Sequence, residues 1–320
     1  MGKKDVTIGI DIGGTNTAIG FVDPEGNCLY KTTIGTKGNE PADKFFKRLK
    51  EKINSLIEET ANELFLRGIG IGAPNANYYN GTVEYPPNLS WGYVNVIDIL
   101  QKDYDVPAAI TNDANAAAIG EMKFGAAQNM KDFIIITLGT GVGSGIVCNG
   151  QLVYGADGFA GEIGHTIYDP DGRLCGCGRK GCLETYASAG GIRRTVLEML
   201  GTSGTQSSLR ELNPEELTSK KIYDAALQGD RIALEAFEFT GKVLGTKLAD
   251  SVAHTSPEAI ILFGGLAAAG DLIFEPTKRH MENCMLNIFK NKVKILPSAL
   301  QEGDAAVLGA GALIWNELEK

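Results

Sequence analysis

Asp11-Ile12-Gly13-Gly14-Thr15-Asn16-Thr17 and Leu138-Gly139-Thr140-Gly141-Val142-Gly143-Ser144 decide the fold of this 320-residue chain. Each follows an apolar run: Val6, Ile8 and Ile10 before the first, Phe133–Leu138 before the second. Each leads into another, with Ile19 and Phe21 in one case and Gly145–Asn149 in the other. Apolar runs on both sides of a glycine-rich break predict a strand, a tight turn and a returning strand. The two openings form an internal structural repeat of low sequence identity and no short period. Two similar α/β lobes with a cleft between them are the expected architecture.

Each turn offers successive backbone N–H groups and a Thr or Ser hydroxyl at a strand end, the makings of an anion-binding nest. A pair of ordinary hairpins is the plain alternative. Two turns in matching contexts, the first directly after Asp11, point instead to phosphates. Neither is a Walker loop, which needs Gly-Lys-Ser/Thr opening a helix. Gly139-x-Gly141-x-x-Ser144 runs into a β-type segment, not the helix that a dinucleotide fingerprint requires. The residues expected at the phosphates are Gly13, Gly14, Thr15, Asn16 and Thr17 in the first turn. Gly139, Thr140, Gly141 and Gly143 are their counterparts in the second. Asp11 is placed to hold a Mg2+-bound water facing the nucleotide. Two lobes that each open with such a hairpin resemble the actin/hexokinase/sugar-kinase superfamily, and this implies ATP as the ligand and a ribonuclease-H-like fold. Gly264-Gly265, after the strand Ile260–Phe263, is similar to the adenosine-binding segment of that superfamily.

Of six cysteines, Cys175, Cys177 and Cys182 lie within eight positions, interleaved with Gly176, Gly178 and Gly181, and His165 precedes them. Four soft ligands of this kind suit tetrahedral zinc in a closed, structural site. The run Gly161-Glu162-Ile163-Gly164-His165, continued by Cys175-Gly176-Cys177-Gly178-Arg179-Lys180-Gly181-Cys182-Leu183-Glu184, resembles the signature of the repressor/open-reading-frame/kinase (ROK) family. With both glycine turns and Asn112-Asp113, the resemblance spans nearly the whole chain. Family repressors carry an added N-terminal helix-turn-helix domain, and this sequence opens on the first phosphate strand, so the kinase branch is expected.

The resemblance implies transfer of the γ-phosphoryl of ATP·Mg2+ to the 6-hydroxyl of a hexose, glucose foremost. N-acetylmannosamine, another amino sugar or fructose is the alternative acceptor. A sugar sensor without phosphoryl transfer is the reading of another class. Such chemistry needs a carboxylate at the attacking hydroxyl. Asp113 matches the family's Asn-Asp motif and is the expected base, although Asp at a helix start is also a standard N-cap. Glu162, His165 and Glu184 match the family's sugar-binding residues, His165 also ligating zinc, and Asn88 and Asn112 are expected to add hydroxyl contacts. Trp91 reads either as a sugar-stacking ring or as a core residue. Where the family shows Gly-x-Pro-Gly, this chain has Gly72-Ala73-Pro74-Asn75, and Asn tolerates the positive φ such a turn needs. The family resemblance also implies a homodimer. His254 and His280 match no motif; the first is expected at a helix end and the second in solvent, with Cys148 in the core.

Composition narrows the remaining classes. Hydrophobic residues make up 43% and charged residues 22%, ordinary globular usage. Net charge is −9 with no basic block, which speaks against nucleic-acid binding by a broad basic face. The start Met1-Gly2-Lys3-Lys4-Asp5 has no apolar core and no segment approaches a membrane span, so a cytoplasmic protein is expected. The lobes are expected at 1–112, joined by a C-terminal helix over about 304–320, and at 113–303. Helices are read over 41–66, from Asp113 to Phe124, and over 186–200, 208–228 and 230–254.

Overall fold

The structure, a computed structural model, describes residues 2–301 and 303–319. The chain opens with β1 (Lys4–Ile12), β2 (Asn16–Val22), β3 (Cys28–Gly35), α1 (Ala42–Thr60) and β4 (Leu64–Gly72). Short β5 (Ala76–Asn77), β6 (Thr82–Glu84) and β7 (Tyr93–Asn95) follow, then α2 (Val96–Gln101), β8 (Ala108–Thr111) and α3 (Asp113–Phe124). Next come β9 (Phe133–Leu138), β10 (Val142–Cys148), β11 (Gln151–Leu152), α4 (Glu184–Ala187), α5 (Ala189–Thr202), α6 (Ser219–Leu227) and α7 (Arg231–Thr255). The chain closes with β12 (Ala259–Phe263), α8 (Asp271–Cys284), β13 (Lys294–Pro297) and α9 (Ala305–Leu318).

The internal repeat is a repeat of topology. One sheet has the order β3-β2-β1-β4-β8 and the other β11-β10-β9-β12-β13. β1 runs antiparallel to β2 and parallel to β4, and β4 runs parallel to β8. In the second sheet β9, β12 and β13 are likewise parallel, and β11 is antiparallel to β10. Val6 to Ile10 are all buried, as expected of a central strand covered on both faces.

Contacts divide the chain into two compact units. The first is Met1–Met130, Gly145–Gly161 and Ser298–Lys320; the second is Lys131–Ser144 and Glu162–Pro297. This division differs from a boundary at 112/113, because α3 packs on α9. A Cβ on Gly309 would lie 2.6 Å from the Ala116 carbonyl oxygen. α9 also lies directly on the first sheet, and a side chain at Gly9 or Gly70 would overlap the carbonyl oxygens of Val307 and Ala310. Buried Glu121 on α3 accepts from the Ala126 N–H at 2.6 Å and from the Ser298 hydroxyl, tying the helix to the segment that leads into α9.

Two expected helices are shorter than their sequence pattern. α1 ends at Thr60, and Leu64 to Arg67 alternate half-buried and exposed, so a two-residue period takes over within 41–66. Within 208–228 only Ser219–Leu227 is α-helical. Pro214 lacks an N–H and turns Asn213 away from helical geometry; two 3-10 turns fill the interval and Thr218 caps α6. Among the described residues no helix is long and apolar enough to cross a membrane.

Candidate active site

In the first unit the candidate groups gather at the carboxyl ends of parallel β1, β4 and β8, where open α/β sheets place ligands. The first glycine turn is closed by the Gly13 N–H on the Asn16 carbonyl at 3.0 Å. Thr15 and Asn16 are exposed. Thr17 is fully buried with its hydroxyl 2.8 Å from the Thr36 hydroxyl. It props the turn from beneath instead of facing a ligand. A Cβ on Gly14 would lie 2.9 Å from the Asn88 Cβ, so Asn88 is seated on the turn.

β4 ends at Gly72, between the two acidic candidates. A Cβ there would lie 3.7 Å from Asp11 Oδ1 and 3.8 Å from the Asp113 Cα. Asp113 opens α3, yet Asn112 does the capping, its Oδ1 accepting from the Asn115 N–H at 2.7 Å. Asp113 Oδ1 takes the Ala114 N–H at 2.9 Å, and the cap leaves its second oxygen for another partner. The carboxyl is open to solvent but crowded by protein. Desolvation raises its pKa above the ordinary value, against the lowering effect of the backbone N–H groups of Ala114 and Asp113. Burial raises Asp11 to about 6, and the Asp113 charge adds to the rise. Among the described residues no cationic side chain figures in either shift. Two neighbouring carboxyl groups with raised pKa, one of them raised partly by the other's charge, fit a divalent cation in the role of missing counter-charge.

Linkage turns this into an expected result. Asp11 titrates near 6 when folded and near 3.9 when unfolded. The folded state therefore holds the extra proton between those values, and stability falls as pH rises through that window. Above it the full penalty persists, about 1–3 kcal/mol for a group still partly reached by water. With Mg2+ withheld, Asp11→Asn should melt higher than the parent at pH 8 and match it at pH 4. A lower melting temperature at pH 8 would overturn the electrostatic reading.

In the second unit, the Gly139 N–H closes the other glycine turn on the Gly141 carbonyl at 3.0 Å. β10 starts at Val142, three residues before the sequence pattern places the returning strand, so the turn proper is Gly139–Gly141 with Thr140 exposed at its tip. The Gly143 N–H is taken by the Thr137 hydroxyl at 3.1 Å. Gly264 has φ of 100° and lies on Leu138, and the Leu266 N–H donates to the Leu138 carbonyl at 3.1 Å. Gly264-Gly265 and the turn are thus brought side by side.

Glu162 precedes, and His165 ends, a 3-10 turn, Ile163–His165, whose Gly164 rests on the Val142 backbone and whose Ile163 N–H donates to Ser144 Oγ at 3.1 Å. Glu184 opens α4. Its Oε2 accepts from the Val142 N–H at 3.3 Å and would be overlapped by any Cβ on Gly141. Its Oε1 lies 3.2 Å from Cys175 Sγ. Glu184 therefore joins the second turn to the cysteine knot, much as Asn88 rests on the first turn.

The ligand atoms of His165, Cys175, Cys177 and Cys182 lie within 4.8 Å of one another. Cys177 and Cys182 Sγ are 3.6 Å apart, and Cys175 Sγ is 3.7 Å from His165 Nδ1. A tetrahedral zinc with Zn–S bonds of about 2.3 Å sets S···S edges of about 3.8 Å, so the donor set fits that ion. Hydrogen bonds from the backbone and side chain of Arg179 hold the Cys177 thiol down to about 6, on the side of the ligating thiolate. His165 turns Nδ1 to the sulfurs, which leaves Nε2 for another partner.

Two residues, Thr36 and Arg173, carry no motif and escape a reading from sequence. Thr36 supports the first turn, while Gly72, read only as part of a turn motif, separates the acidic pair. Arg173 ties the knot to α4 and α5 through the carbonyls of Thr185 and Gly191, at 2.8 and 3.2 Å. Trp91 is a core residue, 5% exposed, packed on Phe45 and Phe46 with its N–H on the Glu40 carbonyl. His254 is exposed in the last turn of α7, and Cys148 is half-buried. His280, expected in solvent, is half-buried and lies 2.8 Å from Glu238 Oε1.

The sequence profile of the ROK family matches residues 7–317. A glucokinase of Thermotoga maritima is 35% identical over 97% of this chain and 98% of its own length. A solved ROK family glucokinase from Streptomyces griseus, in complex with glucose and AMPPNP, has TM-score 0.80 and 33% identity over 96% of this chain and 98% of that one. A solved ROK family transcriptional regulator has TM-score 0.89 and 26% identity, covering 98% of this chain and 78% of its own. The fold shared with these structures is the duplicated α/β, actin-like and ribonuclease-H-like fold of ROK sugar kinases. With a family profile running nearly from end to end and a relative this similar over almost its whole length, the chain belongs to the ROK family.

Proposed function

We propose that the protein is an ATP-dependent hexokinase of the ROK family that phosphorylates glucose at its 6-hydroxyl, with Asp113 as the general base. Similarity to glucokinases, one of them solved with glucose and AMPPNP, supports the reaction. The observation that carries the base is local. Asn112 caps α3, so the raised-pKa carboxylate of Asp113 keeps an oxygen free to take a proton.

Phosphoryl transfer leaves a protein little covalent work beyond positioning and electrostatic stabilisation. Asp113 accepts the 6-hydroxyl proton as that oxygen attacks the γ-phosphorus. Asn88, Glu162, Glu184, His165 Nε2 and the Asn112 amide N–H groups orient the ring through its other hydroxyls. The N–H groups of Gly13, Gly14, Thr15, Gly139, Thr140 and Gly141 serve the phosphates, and Gly264-Gly265 lies along the adenosine. Thr17 and Gly143 support the turns from within. Asp11 is the residue that would hold Mg2+, which when bound neutralises phosphate charge. His165, Cys175, Cys177 and Cys182 would hold a structural zinc that fixes the His165 ring.

The test is ADP release with ATP·Mg2+ against glucose, N-acetylglucosamine, N-acetylmannosamine, mannose and fructose. Glucose is expected to give a far higher kcat/KM than the others. Preference for an acetylated sugar would replace the substrate and keep the mechanism. No turnover on any of them by folded, zinc-loaded protein would overturn the assignment.

A further inference from the structure

Asn75 sits where the chain leaves β4, with φ of 51°. Its side-chain amide donates to two carbonyls, those of Glu84 and Tyr85, both at 3.1 Å. Its own carbonyl accepts the Glu84 N–H at 3.0 Å. Tyr85 is a second left-handed residue, φ 47°, although it is bulky, 74% exposed and followed by Pro86. A residue before proline is driven toward extended conformations, and a non-glycine residue held in the left-handed region persists only where its surroundings over-determine it. The surroundings here are the Asn75 clamp and the Tyr85 N–H on the Gly92 carbonyl at 2.9 Å.

What this clamp steers is the strap Tyr85-Pro86-Pro87-Asn88-Leu89-Ser90-Trp91. Its prolines fix φ, so the orientation of the Tyr85 carbonyl passes through a stiff tripeptide to Asn88. Buried Pro86, Leu89 and Trp91 anchor the strap on either side of Asn88, which stays exposed. The Ser90 N–H bonds the Gly38 carbonyl at 2.6 Å, and the Asn88 Cβ rests on Gly14.

We infer that Asn75 is a positioning residue for sugar binding: its amide fixes the strap and with it the seat of Asn88 against the first glycine turn. This rests on the reading of Asn88 as a sugar contact. Glycine at this position would meet the φ and lose both donated bonds, so Asn supplies the conformation and the clamp together.

Asn75→Gly and Asn75→Asp both tolerate the left-handed backbone, and both lose the donor. Each should raise the glucose KM, and the glucose Kd measured by titration calorimetry without ATP, by about 3–10-fold for one or two lost hydrogen bonds. kcat at saturating glucose and the KM for ATP should stay within about twofold, a split that general loosening would not produce. Asn88→Ala should weaken glucose at least as much, and Asn75→Gly should add little on that background. Unchanged glucose affinity in both Asn75 variants, a parallel loss in kcat and ATP binding, or full additivity in the double variant would overturn the inference while Asn88 keeps its role. If Asn88→Ala leaves glucose affinity intact, the reading of Asn88 fails and the inference falls with it.

Discussion

Asp113→Asn should lower kcat by about 10²–10⁴-fold, the contribution of a positioned general base, with the glucose Kd nearly unchanged. Asn keeps the side-chain volume and an oxygen for the Ala114 N–H, and the cap of α3 belongs to Asn112. The substitution therefore spares the helix and removes only the group that takes the proton. In the parent, kcat/KM should fall toward acid from a pH above the ordinary carboxylate range, because desolvation by the protein packed around its carboxyl keeps Asp113 protonated longer and a protonated base cannot accept. Steady-state kinetics with calorimetric glucose binding measure both quantities. A kcat near that of the parent would refute the assignment of the base.

Cys177→Ala should remove zinc and glucose binding in one step. The sulfur it deletes lies 3.6 Å from Cys182 Sγ in a set whose spacings fit one tetrahedral ion. Structural zinc in small fingers is worth about 10–16 kcal/mol in apparent terms, so the knot should lose its order and the thermal midpoint should drop. Glucose binding goes with it because His165 is one of the four ligands and Glu184 touches Cys175 Sγ. Elemental analysis of the purified variant gives zinc per chain. One zinc retained per chain would refute the ligand set.

How much of this is legible in the sequence depends on how local the cause is. β9 over Phe133–Leu138 and α3 over Asp113–Phe124 are read to the residue, since an apolar run and an Asn-Asp start declare them. β5, β6 and β7, of two or three residues each, are too short to show a period. α8 carries Pro276 in its interior, which reads as a break. At the site, residue types and spacing name the groups without their division of labour. In sequence the cap of α3 reads as Asp113, and only the hydrogen bond to Asn115 gives that role to Asn112. Thr17 looks like a phosphate hydroxyl until Thr36, 19 residues on, is found bonded to it. His280 meets Glu238 because α7 and α8 pack together, across 42 residues of sequence. Glu184 and Asn88 reach the two glycine turns through tertiary contacts that no spacing records.

The contact of α9 with Gly9 and Gly70 also sets an order of events at the ribosome. Strands β1 to β4 are translated before the second unit, with backbone shaped to receive a helix that is translated after it. Every residue of the second unit precedes Ser298, so that unit can mature on the nascent chain. The amino-terminal sheet, the usual first folder in vectorial synthesis, must keep one apolar face uncovered until the final turns of α9 are released. Its period of exposure is the interval a chaperone would have to cover.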